Sequence, residues 1–331
     1  MIITLTPNPS HDRTASLDGP LTRGAVHRIV AVTSIAAGKG VNISRACASS
    51  GVPTTAVLPA PAHDPFVLEL EDAGISCLPV PTAASPRVNL TVTEPDGTTT
   101  KLNSPGAPAD AALLTALADA VAERAAQASW VVLAGSLPPG APASWYAELV
   151  ARLAADGVRV AVDTSDEPLT ALVSGLTSGL GSGLSSGLNT AAPALMKPNA
   201  DELASFTGGD AEQLEADPEA AAKAARTLVE AGVETVLATL GGNGAVLVDR
   251  TGAWHATPPP TTVVSTVGAG DSSLFGYLLG DLRGQDTAHR LALAVAYGSA
   301  AAGLPGTTIP LPTQVHPELV TVRGLSTTLG D

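Results

Sequence analysis

Eight residues in the last third of the chain, Thr266–Ser273 (TVGAGDSS), bring together the groups that a charge-transferring reaction needs. Gly268, Ala269 and Gly270 permit a sharp turn with bare backbone N–H groups, and the apolar run Leu274–Leu282 behind them reads as a helix. A helix directs its positive end at such a turn, so the turn suits an anion. Asp271 sets a carboxylate at its lip. A proton acceptor beside an anion hole is what phosphoryl transfer to an alcohol requires, because one group takes the hydroxyl proton while the other neutralises developing charge. The local pattern also admits a simpler reading, a glycine-rich helix entry with Asp271 as a first-turn charge.

Ala37–Ser44 (AGKGVNIS) is a second turn of this kind. Gly38 and Gly40 allow close backbone approach, Lys39 offers a mobile point charge suited to phosphate, and Asn42 offers both a donor and an acceptor to a hydroxyl. The lysine is followed by glycine rather than Ser or Thr, so this is not a Walker loop. Asp12, in Thr6–Asp12 (TPNPSHD), follows the first strand and reads either as a turn cap or as a ligand to substrate. Arg87 and Asn89 alternate with Val88, so a guanidinium and an amide share one strand face and could converge on a sugar phosphate. In Lys197–Glu202 (KPNADE), Asn199 and Glu202 stand three apart at a helix start. They form a capping box or a pair that steers hydrated Mg²⁺. Thr239–Gly244 (TLGGNG) is a glycine-rich turn able to lie against nucleotide phosphates.

The elements between these motifs alternate. Strand-like runs at Ile2–Thr6, Thr54–Leu58, Ile75–Val80, Trp130–Ala134, Val158–Asp163, Val233–Thr239, Ala245–Val248 and Thr261–Val264 are separated by Ala/Leu-rich helical runs. That rhythm means βαβ units and a mostly parallel α/β sheet with helices on both faces, which binds ligands beyond the carboxyl ends of its strands. The motifs fall at those ends. Two segment pairs break the rhythm: Thr14–Leu17 with Val26–Thr33, and Arg87–Glu94 with Thr98–Leu102, the latter joined by the hairpin signal Pro95–Asp96–Gly97. They read as a small β-sheet lid over the site, or as ordinary edge strands. The low-complexity run Leu172–Leu188 carries leucine at every fourth position, but its recurrent glycines favour an extended or weakly helical surface insertion.

Composition narrows the partners. The 331-residue chain is 45% hydrophobic with only 3% aromatic residues, so its core is built from Ala, Val and Leu. A formal charge of −14 argues against nucleic acid and anionic membrane, and requires local cations for any polyanionic substrate. Two of the four lysines, Lys39 and Lys197, sit in the motifs above. Cys47 and Cys77 form no CxxC or Cys/His cluster and read as reduced core residues. The N-terminus lacks the pattern of a signal peptide, and the expected location is cytoplasmic. No GxGxxG follows the first strand, which sets aside a dinucleotide-binding oxidoreductase.

With AGKGVNIS, KPNADEL, TLGGNGAVL and STVGAGDSS in this order and spacing, the chain resembles the ribokinase-like (PfkB) carbohydrate kinases over nearly its whole length. TPNPSHD, GSLPPG and VDTS look most like the sugar-phosphate kinase branch. The resemblance implies a doubly wound, mostly parallel sheet flanked by helices, as one kinase domain over residues 1–331. Its core would be 1–10, 34–84 and 104–331, its lid 11–33 and 85–103, and its insertion about 174–188. It implies ATP and Mg²⁺ as cofactors and phosphorylation of fructose 1-phosphate at O6. Tagatose 6-phosphate and fructose 6-phosphate are the alternative acceptors, and a non-catalytic sugar-phosphate sensor is the alternative class. Carried over residue by residue, Asp271 is the base and Gly268, Ala269 and Gly270 the anion hole. Asp12, Gly38 and Asn42 contact sugar hydroxyls, Lys39 and Arg87 hold the sugar's existing phosphate, and Gly40, Asn89 and Ser136 complete the substrate-binding set. Lys197, Asn199, Thr239, Gly241, Gly242, Gly244 and Gly270 bind nucleotide, and Asn199 and Glu202 attend Mg²⁺ through water. The lid is also where two copies would pair. Ser265 and Pro61 depart from the family's usual acidic residue and glycine, while Lys39, Ala25 and His27 lean toward the 1-phosphate.

Overall fold

Short apolar, β-branched runs make strands here because both of their faces are covered. In the computed structural model, which describes residues 1–181 and 191–326, ten strands form one sheet, most of them such runs. Its parallel part consists of β1 (Ile2–Leu5), β4 (Thr54–Pro59), β5 (Ser76–Val80), β8 (Trp130–Ala134), β9 (Val160–Asp163), β10 (Leu195–Met196) and β11 (Thr235–Thr239). The strands β12 (Ala245–Asp249), β13 (Gly252–Thr257) and β14 (Thr321–Gly324) add an antiparallel edge. The spatial order is β14-β13-β12-β11-β10-β9-β8-β1-β4-β5.

Side chains alternate between two helical layers. Ile3, Val131 and Leu133 pack with α3 (Ala111–Ala125), α4 (Trp145–Ala155) and α8 (Pro218–Glu230). Ile2, Trp130 and Val132 pack with α1 (Lys39–Ser49), α9 (Ala269–Leu282) and α10 (Thr287–Ala302). Helix α9 is buried from Asp271 through Gly280, which fixes the carboxylate it carries. Phe275 meets Tyr297 of α10 edge-on at 5.1 Å, worth about 1 kcal/mol beyond its burial. At the far end of α9, Asp281 accepts from the Trp130 indole N–H at 2.8 Å and pairs with Arg159 and Arg290. Cys47 and Cys77 are free thiols, and burial pushes both up to about 12, which leaves them unreactive.

A second sheet of four strands stands apart, in the order β3-β2-β6-β7: β2 (Ser10–Leu17), β3 (Ile29–Ala37), β6 (Arg87–Thr93) and β7 (Thr99–Asn103). Strands β2 and β6 are parallel, the other pairs antiparallel. The Pro95–Gly97 turn closes β6–β7 as expected, with Gly97 at φ 89°. Two strands differ from their expected limits. Strand β2 begins at Ser10, which puts Asp12 on a strand rather than in a turn, and β3 runs on to Ala37. That extension is anchored: the Ala36 N–H donates to Glu69 Oε1 at 2.8 Å, and Arg45 donates to both Ala36 O and Glu69.

Two expectations fail. Thr261–Val264 is not a strand; three preceding prolines remove ladder donors, and Val263 and Val264 lie exposed beside the site. The leucine repeat is not wholly a surface insertion. Helix α5 (Asp166–Gly181) runs into it and buries Leu172 and Leu176 in the core, while residues 182–190 lie outside the described residues. Strands β13 and β14 have no strong alternation and were not expected from the sequence.

Candidate active site

Two helix entries meet at the carboxyl ends of the parallel strands. Gly268 caps α9 in the left-handed conformation (φ 79°), which turns the chain from the exposed loop into the buried helix. The first-turn N–H groups have no carbonyl four residues back to bond. Of the three residues expected to form the anion hole, Ala269 turns its N–H back toward the Thr266 carbonyl at 3.3 Å. At the other entry Gly38 has φ 131°, and a Cβ there would stand 2.7 Å from Thr6 Cγ2, so only glycine fits. Helix α1 then carries Asn42, whose amide donates to Asp271 Oδ2 at 2.7 Å across 229 residues of sequence.

A buried carboxylate that received no role from the sequence organises the charges. Asp163, at the end of β9, is fully buried and pairs with Lys39 at 2.7 Å and Lys197 at 3.1 Å. Burial works to raise its pKa, but the two ammonium groups hold it below the usual carboxylate range. Burial likewise opposes the Lys39 charge, yet Asp163, Asp271 and Glu202 together raise its pKa above an ordinary lysine. For Asp271, burial and the neighbouring Asp163 push the carboxyl up to about 6, against the pull of Lys39, Asn42 and Lys197. The Lys197 ammonium lies against the turn itself, 3.1 Å from where a Gly270 side chain would begin. Breaking one arm of such a buried ion triad leaves an uncompensated charge, at a cost of about 3–5 kcal/mol.

The lid supplies one end of the site. Asp12 Oδ1 accepts from Ser10 Oγ at 2.9 Å and from the Asn89 amide at 3.1 Å. Arg87 donates to the Ser104 carbonyl at 2.6 Å; burial lowers its pKa and Asp12 partly restores it. Asn8, another residue without an assigned role, reaches from the TPNP turn to the Pro105 carbonyl at 3.1 Å and lies 3.5 Å from Ser136 Oγ.

The opposite end is built from β10 and β11. Asn199 and Glu202 form a reciprocal capping box on α6 (Ala200–Thr207): the Glu202 N–H donates to Asn199 Oδ1 at 2.7 Å and the Asn199 N–H to Glu202 Oε2 at 2.9 Å. Burial raises the Glu202 pKa against the pull of Lys39 and Lys197. The capping box uses the single side-chain oxygen of Asn199 and one of the two of Glu202, and Mg²⁺ favours hard oxygens with few protein ligands and several waters. That leaves one Glu202 oxygen free, and because Glu202 does not line the cleft it fits a cation only through intervening water. Among the described residues no group of three or more His, Cys, Asp or Glu side chains is set to hold a metal.

One cleft of about 870 Å³ joins both ends. Asp12, Arg87, Asn89 and Ser136 line it at the lid. Gly38, Lys39, Asn42, Lys197 and Gly268–Asp271 line its middle, and Asn199, Thr239, Gly241, Gly242 and Gly244 its far end. Two expected site residues are not among its lining residues. Gly40 faces Thr6 and Leu5 of β1, so its missing side chain serves packing, and Glu202 is occupied at the α6 cap. A signal for Asp163 did exist: an acid ending the otherwise apolar strand VAVD is either neutralised or functional.

The doubly wound sheet with its separate small sheet is the fold of the carbohydrate kinases. The chain belongs to the pfkB family of carbohydrate kinases, whose profile matches residues 8–314. It is 36% identical to the 1-phosphofructokinase of Rhodobacter capsulatus over 94% of this chain and 93% of that one. It is 36% identical to the 1-phosphofructokinase of Haloferax volcanii over 98% and 99%. The crystal structure of phosphofructokinase-2 from Escherichia coli in complex with substrates and products superposes with a TM-score of 0.81 at 28% identity, covering 95% of this chain and 96% of that one. Among the described residues no helix is long and apolar enough to cross a membrane.

Proposed function

We propose that the protein transfers the γ-phosphoryl group of ATP to O6 of D-fructose 1-phosphate, giving fructose 1,6-bisphosphate. The observation that carries the reading is the buried Asp271 at the lip of the α9 turn, hydrogen-bonded to Asn42 and sharing one cleft with Lys39 and Arg87. The 1-phosphofructokinase relatives support the choice of acceptor. Mg·ATP, when bound, supplies the phosphoryl group with part of its charge masked. Asp271 accepts the O6 proton, with Asn42 steering one carboxyl oxygen. The N–H groups of the first α9 turn, together with Lys39 and Lys197, receive charge that builds on the phosphoryl oxygens. Arg87 and Asn89, with Ser136 opposite, hold the sugar's standing phosphate, and Asp12 takes a sugar hydroxyl. This moves Lys39 from the standing phosphate to the transferring one, because its ammonium shares Asp163 with Lys197 and Lys197 abuts Gly270.

A coupled assay with ATP against fructose 1-phosphate, tagatose 6-phosphate and fructose 6-phosphate tests the reading. Fructose 1-phosphate should give the highest kcat/KM. Turnover with none of the three refutes the kinase, and a tenfold preference for either 6-phosphate refutes the acceptor.

A further inference from the structure

His255 on β13 lies outside the cleft and is buried, yet one of its ring nitrogens has no partner. Its Nε2–H donates to the Asn243 carbonyl at 2.8 Å, and Nδ1 is buried without a hydrogen bond. The carbonyl can only accept, so the proton sits on Nε2 and Nδ1 is left bare. A half-satisfied buried imidazole costs stability relative to an apolar residue of similar size. Its cross-strand neighbours are Val246 and Arg323, so the single bond it makes is to the turn at Asn243.

That turn is the one facing the far end of the cleft. Asn243 is held twice, its carbonyl by His255 and its side-chain amide by the Glu215 carbonyl at 3.0 Å. Within the turn the Asn243 N–H bonds the Leu240 carbonyl and the Gly244 N–H bonds the Gly241 carbonyl. Gly241 and Gly242 line the cleft, and so do Thr257, the last residue of β13, and Pro258–Pro260 directly after it. His255 thus stands behind two segments that bound the same end of the site.

We propose that His255 is a positioning residue for the nucleotide: by clamping the Asn243 carbonyl it fixes the turn that presents Gly241 and Gly242 to the phosphates. The inference rests on the kinase reading above. It is tested by steady-state kinetics of the full chain, varying ATP and fructose 1-phosphate separately. His255→Met, which keeps bulk but has no donor, should raise KM for ATP about tenfold, the order expected for losing one buried hydrogen bond. Its kcat and sugar KM should stay within twofold. His255→Gln, whose amide can donate from nearly the Nε2 position, should restore KM for ATP to within threefold. An unchanged KM for ATP in the methionine variant, or both KM values rising together, overturns the proposal. Should that variant melt below assay temperature, His255→Asn, whose shorter amide stops at the Nδ1 position and cannot reach the Asn243 carbonyl, replaces it: a selective rise in KM for ATP supports the clamp, and an unchanged one overturns it. Failure of the kinase reading looks different, since the wild-type protein would then turn over no sugar phosphate at all.

Discussion

Replacing Asp271 with asparagine should abolish activity and stabilise the protein, and both effects follow from the same burial. The carboxyl titrates at about 6 in the folded chain against 3.8 for an ordinary aspartate. A group whose folded pKa is raised binds its proton more tightly in the native state, so native stability falls as pH rises from the unfolded pKa through the folded one. The gap is about two units, and at about 1.4 kcal/mol per unit the ionised carboxylate costs about 3 kcal/mol at pH 8. About half of that cost remains at pH 5, and it vanishes below about pH 4. Asparagine has no charge to lose and keeps an oxygen to accept from Asn42. The variant should therefore melt roughly 5 °C above wild type at pH 8, with the advantage shrinking toward pH 5. Turnover should drop by about 10²–10⁴, the usual loss for a general base. Thermal melts and coupled assays on both proteins across this pH range check the pair of effects, and the wild-type kcat/KM should decline below about pH 6. A variant that is less stable at pH 8, or one whose advantage does not depend on pH, would refute the argument even if it were inactive.

The two cation roles separate kinetically. Lys39→Met should lower kcat about a hundredfold with little change in sugar KM, whereas Arg87→Ala should raise sugar KM ten- to roughly a hundredfold; a rise in sugar KM for the lysine variant would return Lys39 to the standing phosphate. Strand β3 leaves Val30 and Val32 exposed at 62% and 54%, an apolar edge we expect a second copy to cover. Light scattering should then give twice the 32.9 kDa chain mass, falling to one chain in a Val30→Glu, Val32→Glu variant, and a monomeric wild type would remove the lid as an interface. Gly244 has φ 88° and ψ −129°, and a side chain there would run into the Ala256 carbonyl. Gly244→Ala should lose at least about 2 kcal/mol, visible as a lower Tm, and an unshifted melt would show that the turn can move.

What could be read from the sequence was what local rules govern. The βαβ rhythm gave the layered sheet because each parallel strand is a short apolar run between helices, and Pro95–Gly97 announced its hairpin by turn chemistry alone. The GKG and GAGD turns were legible because glycine at a helix entry has few other uses. What the rules missed depends on distant partners. At Thr261–Val264 the three preceding prolines were the one local warning, and a β-branched run without a ladder partner is a loop. Leu172 and Leu176 looked like surface repeat until α4 and α6 closed over the start of α5. Gly40 looked like a ligand contact because close approach to a ligand and close approach to β1 ask the same thing of a residue.

Asp163 is the clearest case of a residue whose meaning lies in its neighbours, and it answers how an acidic chain can hold a polyanion. With a net charge of −14, the protein cannot attract phosphates by its overall field. It keeps two of its four lysines at one point on either side of a buried carboxylate, and without that counter-charge they would repel each other. Asp163 bridges the two and offsets one of their charges, and with Asp271 and Glu202 it holds the Lys39 ammonium charged against the opposing effect of burial. The same negative charge adds to burial in raising the pKa of Asp271, which on the proposed reading makes it a stronger base. On the proposed reading, an incoming phosphoryl group meets cations already fixed in place, and the reorganisation it must drive is limited to sharing them with one carboxylate.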